Sequence, residues 1–122
     1  MEKGITESFD LARLGEDEAC SFLRKNLCKI LERNYRTRAG EIDIVARLGK
    51  IVIFAEVKTR SATDYAQPWE AVGYRKRQKL KTTAKMYVQQ HASRECEFRF
   101  DVISITFDDG LRPQIEWMQN AF

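Results

Sequence analysis

Gly40 to Arg60 reads GEIDIVARLGKIVIFAEVKTR, two runs of β-branched and apolar residues, Glu41 to Leu48 and Ile51 to Thr59, on either side of Gly49-Lys50. Two such runs separated by two residues with glycine first form a hairpin, so the strands pair antiparallel. With that turn Leu48 stands opposite Ile51, Asp43 opposite Glu56, and Glu41 opposite Lys58. Alternation puts Glu41, Asp43, Glu56 and Lys58 on one face with Val45, Val52 and Phe54. Ile42, Ile44, Ile51, Ile53, Ala55 and Val57 take the other face. Both faces are apolar enough to be covered, which makes the four charges conspicuous.

An exposed ion pair stabilises a fold by only ~0–1 kcal/mol, whereas a charge taken out of water costs several kcal/mol unless something compensates it. Stability is therefore a poor reason for these residues. Two carboxylates meeting across neighbouring strands are hard oxygen ligands of the kind Mg²⁺ (or Mn²⁺) accepts while keeping waters for substrate phosphates. Asp43 and Glu56 are the natural ligand pair. Lys58, two residues along the same face, is placed to orient or help deprotonate a water and to offset charge on a phosphorane-like transition state. Such a set outlines a site for phosphodiester hydrolysis. The ordinary alternative is a solvated ion pair, since Glu-x-Lys on a strand is common by chance; an acid in matching register on the adjacent strand is the more specific feature.

Around the hairpin, the apolar residues Leu11, Leu14, Ala19, Phe22, Leu23 and Leu27 recur at helical spacing and predict a helix over Asp10 to Asn26, or two helices broken near Gly15. A strand over Cys28 to Arg36 and a turn over Thr37 to Gly40 lead into the hairpin. Pro68 is a good first residue for a helix that runs through WEAVGYRKRQKLKTTAKMYVQQHA, with Val72, Leu80, Ala84, Tyr87 and Val88 toward the core. Phe98 to Phe107 alternates into a strand, Asp108 to Gly110 turns, and Pro113 to Met118 is a last short strand. The order helix, three strands, helix, two strands predicts an α/β fold: a central mixed sheet of about five strands flanked by helices.

With 122 residues, 43% of them hydrophobic and 32% charged, the chain suits one globular domain over residues 1–122. No run is long enough to span a membrane and the acidic N-terminus lacks a secretory pattern, so a cytoplasmic protein is expected. Cys20, Cys28 and Cys96 have no metal-ligand spacing and read as idle thiols. The net charge of +3 is modest, but its distribution is not. Arg33, Arg36 and Arg38 precede Asp43, and Arg60 follows Lys58. On the second helix Arg75 and Lys79, and one stripe over Arg77, Lys81 and Lys85, repeat every four residues, a row able to follow a phosphate backbone or simply to face water. His91, the only histidine, sits near a helix end and more often caps carbonyls there than does chemistry. Tyr65, Trp69 and Trp117 could stack on bases, though aromatic residues in a small domain are more often core.

These residues resemble the PD-(D/E)xK, or restriction-endonuclease-like, superfamily, with Asp43 as the acid and Glu56-Val57-Lys58 as the second element. More closely the chain is similar to the YraN-like family of small nuclease-like proteins, through G-E-D-x-A at Gly15 to Ala19, R-N-Y-R-T-R-x-G-E-I-D at Arg33 to Asp43, E-V-K-T-R at Glu56 to Arg60, and the terminal Asn120-Ala121-Phe122. Ile42 stands where the superfamily pattern has proline. The resemblance implies a restriction-endonuclease-like domain and a metal-dependent nuclease acting on DNA, with branched or repair intermediates among its substrates. It also implies that Glu16, at the start of the first helix, brings a further acid to the metal; complementing the helix dipole is the competing explanation. Glu41 either assists the metal or pairs with Arg36, Arg38 or Lys58. Gln78 matches a position where relatives place a supporting polar group, with solvent exposure as the alternative. RNA as substrate, pairing of two chains, and a binding or recruitment module that keeps the fold without cutting all stay open.

Overall fold

The computed structural model describes residues 3–62, 73–91 and 96–122, with side chains from Leu11 onward. Helix α1 (Lys3–Lys25) is followed by strands β1 (Lys29–Thr37), β2 (Gly40–Leu48) and β3 (Ile51–Ser61), helix α2 (Tyr74–His91), and strands β4 (Glu97–Phe107) and β5 (Pro113–Met118). The five strands form one sheet in sequence order. β3 and β4 run parallel, which requires the crossover that contains α2, and every other neighbour pair is antiparallel. The expected α/β fold with a mixed sheet is the one observed. Pro68 and Val72 lie outside the described residues.

Each face of the sheet is closed by one helix. Ala19, Cys20 and Leu23 of α1 pack with Ile44, Ala46, Ile53, Ala55, Ile103 and Ile105. Leu80, Ala84 and Tyr87 of α2 pack with Val45, Val52, Phe54 and Val102 on the other side. The hairpin turns at Gly49, whose φ of 59° suits a residue without a Cβ, and Leu48 pairs with Ile51 as the turn requires. One assignment differs. Ile42 packs with Leu80 and Tyr87 on the α2 side, while Ile44 packs on the α1 side, so strict alternation fails at Asp43 between them. Across the ladder, Arg33 pairs with Ile44 and Tyr35 with Ile42, and the residue between, Asn34, has a φ of 53°. A left-handed residue at that point rotates the strand and carries Tyr35 and Ile42 to the same side.

Helix α1 is continuous and begins earlier than its apolar spacing indicates. It does not break at Gly15; a Cβ there would overlap the Thr59 side chain, so the glycine lets the helix lie directly against β3. Leu27, counted as core from helical spacing, is 85% exposed, because the helix stops at Lys25 and Leu27 takes the left-handed position (φ 69°) while Cys28 N–H donates to Leu23 O at 2.9 Å. Leu14 is exposed as well. Cys20 and Cys28 are buried and free, their thiols pushed above the usual range chiefly by burial.

One buried charge anchors the C-terminal end. Asp101, fully buried, accepts two 2.8 Å bonds from Arg99, one of 2.8 Å from Trp117 Nε1 and one of 2.9 Å from Asn120 N. Trp117 also meets Phe22 edge to face at 5.8 Å, which makes it a structural residue rather than a surface for bases.

The close approach at Gly15 predicts a sign. Alanine in an unconstrained helix interior would stabilise by about 1 kcal/mol relative to glycine. Here Gly15→Ala should destabilise by about 1–3 kcal/mol through overpacking, and Thr59→Gly in the same chain, which also removes the Cβ at residue 59 that the new methyl would meet, should recover part of that loss. Urea denaturation of the wild type and the two variants checks this; a stabilised single variant would contradict it.

Candidate active site

The β2–β3 ladder runs from Leu48↔Ile51 as far as Ile44↔Ala55. At the next position the side chain of Asp43 enters: its Oδ2 accepts the Val57 N–H at 2.9 Å. A carboxylate thus takes a backbone donor that a ladder would give to a carbonyl. Because Ile42 and Ile44 pack to opposite sides, Asp43 is directed along the sheet toward β3, where it meets Glu56. The expected approach of these two acids is present. The expected opposition of Glu41 and Lys58 is not, since the pairing ends first. Glu41 instead bonds to its β1 neighbour, with Oε1 3.4 Å from Arg36 Nε.

Glu56 lies on the α2 side and is buried, its side chain only 7% exposed. Lys58 Nζ is 3.5 Å from its Oε1, and Lys76 Nζ contacts the same oxygen. Gly40, Glu41, Asp43, Glu56, Arg75 and Lys79 are among the residues that line a cavity of about 460 Å³ at this point, so Arg75 and Lys79 do reach the site. Burial, followed by the charge of Glu56, pushes the Asp43 carboxyl up to about 7 against the lowering effect of the Val57 bond; Glu16 adds to the rise. Beside the charge of the buried Glu56, the partly buried Asp43 holds its proton more readily than it takes on a second negative charge. The amines show the complementary behaviour. Burial, and next the hydrogen bond with Lys76, lowers Lys58 below the usual lysine range. Burial would lower Lys76 too, but its bonds to Glu56 and Lys58 hold it above that range.

Lys76 was not singled out from the sequence. The signal was there: Leu80, Ala84 and Tyr87 mark the buried stripe of α2, and one turn back along it is position 76. A lysine at that position, though its side chain is still 44% exposed, reaches the buried Glu56 on the sheet.

Glu16 lies on the other side of the sheet. Its Oε1 is buried without a hydrogen-bond partner and is 3.9 Å from Arg33 Nη2, which bonds Asp17 at 2.8 Å. A second cavity, of about 620 Å³, gathers Arg13, Glu16, Asp17, Arg33, Asn34 and Arg36. Arg38 is exposed in the turn between β1 and β2. Arg60 has a buried Nη1 without a partner among the described residues. Arg77 holds its guanidinium 5.6 Å over the Phe122 ring, and Lys81 lies on the β4 side of α2, away from the acids. Gln78 is exposed, His91 Nδ1 sits 3.3 Å from Tyr87 O as an end-capping residue does, and Tyr65 and Trp69 lie outside the described residues.

Asp43 and Glu56 are the residues that could hold a divalent cation, and the donor set fits one: two hard oxygen ligands meeting in one cleft, the Asp43 carboxyl pushed up to about 7 by burial and by the charge of Glu56. In the structure the nearby positive charge comes from Lys58 and Lys76. Among the described residues no three His, Cys, Asp or Glu side chains gather into a metal-binding group, so Glu16 is not joined to the other two acids.

The fold and the forked hairpin define an α/β protein with a paired-acid, lysine-flanked cleft. Residues 15–105 match the family described as "Uncharacterised protein family UPF0102", and the chain belongs to that family, the one its motifs point to. A UPF0102 protein of Geobacter metallireducens is 46% identical over 112 residues, covering 92% of this chain and 91% of its own. One from Dictyoglomus turgidum is 42% identical over 114 residues, with 93% and 97% covered. No helix among the described residues is long and apolar enough to cross a membrane.

The proton held by Asp43 makes stability depend on pH. Folded Asp43 keeps its proton to about 7, whereas an unperturbed one releases it near 3.8. Between those values the folded chain binds more protons than the unfolded one, so this residue's contribution to stability falls as pH rises from about 4 to about 7 and is flat above. Relative to Asp43→Asn, wild type should therefore lose on the order of 2 kcal/mol between roughly pH 5 and roughly pH 8. Denaturant titrations of both proteins measure this, and parallel pH profiles would contradict it.

Proposed function

We propose that the protein is a metal-dependent nuclease of the PD-(D/E)xK type that hydrolyses phosphodiester bonds in DNA. The observation that carries this reading is the meeting of Asp43 and Glu56 where the hairpin ladder ends, with Lys58 beside them and cationic side chains around the cleft. Asp43 and Glu56 would hold Mg²⁺ or Mn²⁺, which when bound supplies an activated water and counter-charge for the phosphate. Glu16 on the α1 side and Glu41 beside Arg36 assist by field and by position rather than as direct ligands.

Lys58 suits the proton handling. Its amine is held below the ordinary lysine range, so at neutral pH it more readily accepts a proton from an attacking water than a free lysine does. Attack at phosphorus forms one P–O bond and breaks another, leaving a phosphate on one fragment and a hydroxyl on the other. Lys76, Arg75 and Lys79 line the approach on the α2 side, and the unpartnered N–H of Arg60 is a donor suited to a phosphate oxygen. Arg33 and Arg36 on β1, and Arg38 in the turn that follows it, extend the cationic surface. RNA and a two-chain assembly stay open beside DNA and a monomer.

One observation favours a second reading. Glu56 already has two ammonium partners, so its charge is compensated within the protein, as a binding or recruitment module that does not cut would need. Cleavage of a panel of branched, linear and single-stranded DNA with Mg²⁺ and Mn²⁺ separates the two. The nuclease reading expects cleavage that Asp43→Asn abolishes and that Lys58→Met lowers by about 10²–10⁴-fold, with DNA affinity retained. No cleavage of any member, or undiminished cleavage by pure Asp43→Asn protein, rejects it.

A further inference from the structure

Helix α2 has two long edges. One overlooks the acids; the other, toward β4, borders a cavity of about 450 Å³ floored by Phe54, Phe98 and Phe100 and flanked by Lys81 and Lys85. The rings form a row: Phe98 stacks on Phe54 at 6.1 Å, Phe54 meets Phe100 at 5.4 Å, and Phe100 stacks on Phe122 at 5.2 Å. Phe98 is 41% exposed, a large apolar ring left in water at the open end of that row. Its neighbours in the row are packed.

Phe54 and Glu56 alternate on β3 and project to the same side, so the aromatic floor begins about 7 Å from the acid pair. Lys81 and Lys85 are one helical turn apart, about 6 Å, a spacing comparable to the step between successive phosphates of a strand. An apolar peptide would use the floor but leave two cations without partners. We propose that this groove binds a single-stranded segment of nucleic acid, with unpaired bases stacking against Phe98 and phosphates running along Lys81 and Lys85. The inference rests on the phosphodiester reading of the acid site and adds the form of the substrate: a strand with unpaired nucleotides beside the bond to be cut. A continuous duplex keeps its bases stacked on one another and cannot present them to a floor set below the lysines.

Fluorescence anisotropy in EDTA, with a labelled oligothymidylate and a duplex of equal length, tests this without cleavage. The wild type should prefer the single strand. Phe98→Leu, which keeps apolar volume but removes the π face, should weaken single-strand binding about 5- to 20-fold and leave duplex binding unchanged. Lys81→Gln with Lys85→Gln, both exposed, should reduce the slope of log affinity against log salt by about 1.4, and it decides the matter if the Phe98 variant does not fold. Equal single-strand affinity for wild type and variants overturns the proposal, as does an equal loss on duplex. Phe98-dependent binding by a protein that cleaves nothing would sink the nuclease reading and leave the groove; cleavage without that dependence would sink only the groove.

Discussion

The amide of Val57 bonds to a side chain where a sheet would offer it a carbonyl. That substitution ends the β2–β3 ladder at Ile44↔Ala55 and lets the strands part while both remain in the sheet, β2 against β1 and β3 against β4. The gap brings one carboxyl group from each strand together. Their burial is costly, and the fold meets the cost with a proton on Asp43 and two ammonium groups on Glu56.

The two faces of the sheet carry different duties. On the α1 side packing is close, and Gly15 against Thr59 sets how near the helix, and with it Glu16, comes to the strands. On the α2 side the helix covers apolar residues with Leu80, Ala84 and Tyr87, then meets charge at its N-terminal turn, where Lys76 replaces the next apolar residue of the stripe. The cationic surface of α2 divides accordingly: Arg75 and Lys79 overlook the acids, while Arg77 lies over Phe122 and Lys81 borders the aromatic floor.

Much of this was legible in the sequence because hairpin registers are rigid. Gly49-Lys50 fixes Leu48 against Ile51, and counting from there brings Asp43 to Glu56 and puts Glu56 and Lys58 on one face. The family, the order of elements along the chain and the mixed sheet followed from motifs and periodicity. What counting could not reveal was the end of the ladder, because it depends on a side chain competing for a backbone amide. For that reason the count sets Glu41 opposite Lys58, while the pair the structure forms is with Arg36, one of the ion-pair partners the sequence offers. Ile42 was put on the wrong face because Asn34, on another strand, adopts a left-handed conformation. Leu27 obeyed helical spacing after the helix had ended. Lys76 was hidden among basic neighbours, since charge drew attention to the exposed stripes and away from the buried one.

The proposed function needs Asp43 and Glu56 to form a single cation site. Titration of the purified chain with Mn²⁺, followed by the loss of the free-ion electron paramagnetic resonance signal, measures this directly. Saturable binding is expected, and either Asp43→Asn or Glu56→Gln should remove it while both variants keep the wild-type circular dichroism. Saturable binding that survives in both variants, or none in the wild type, would contradict it.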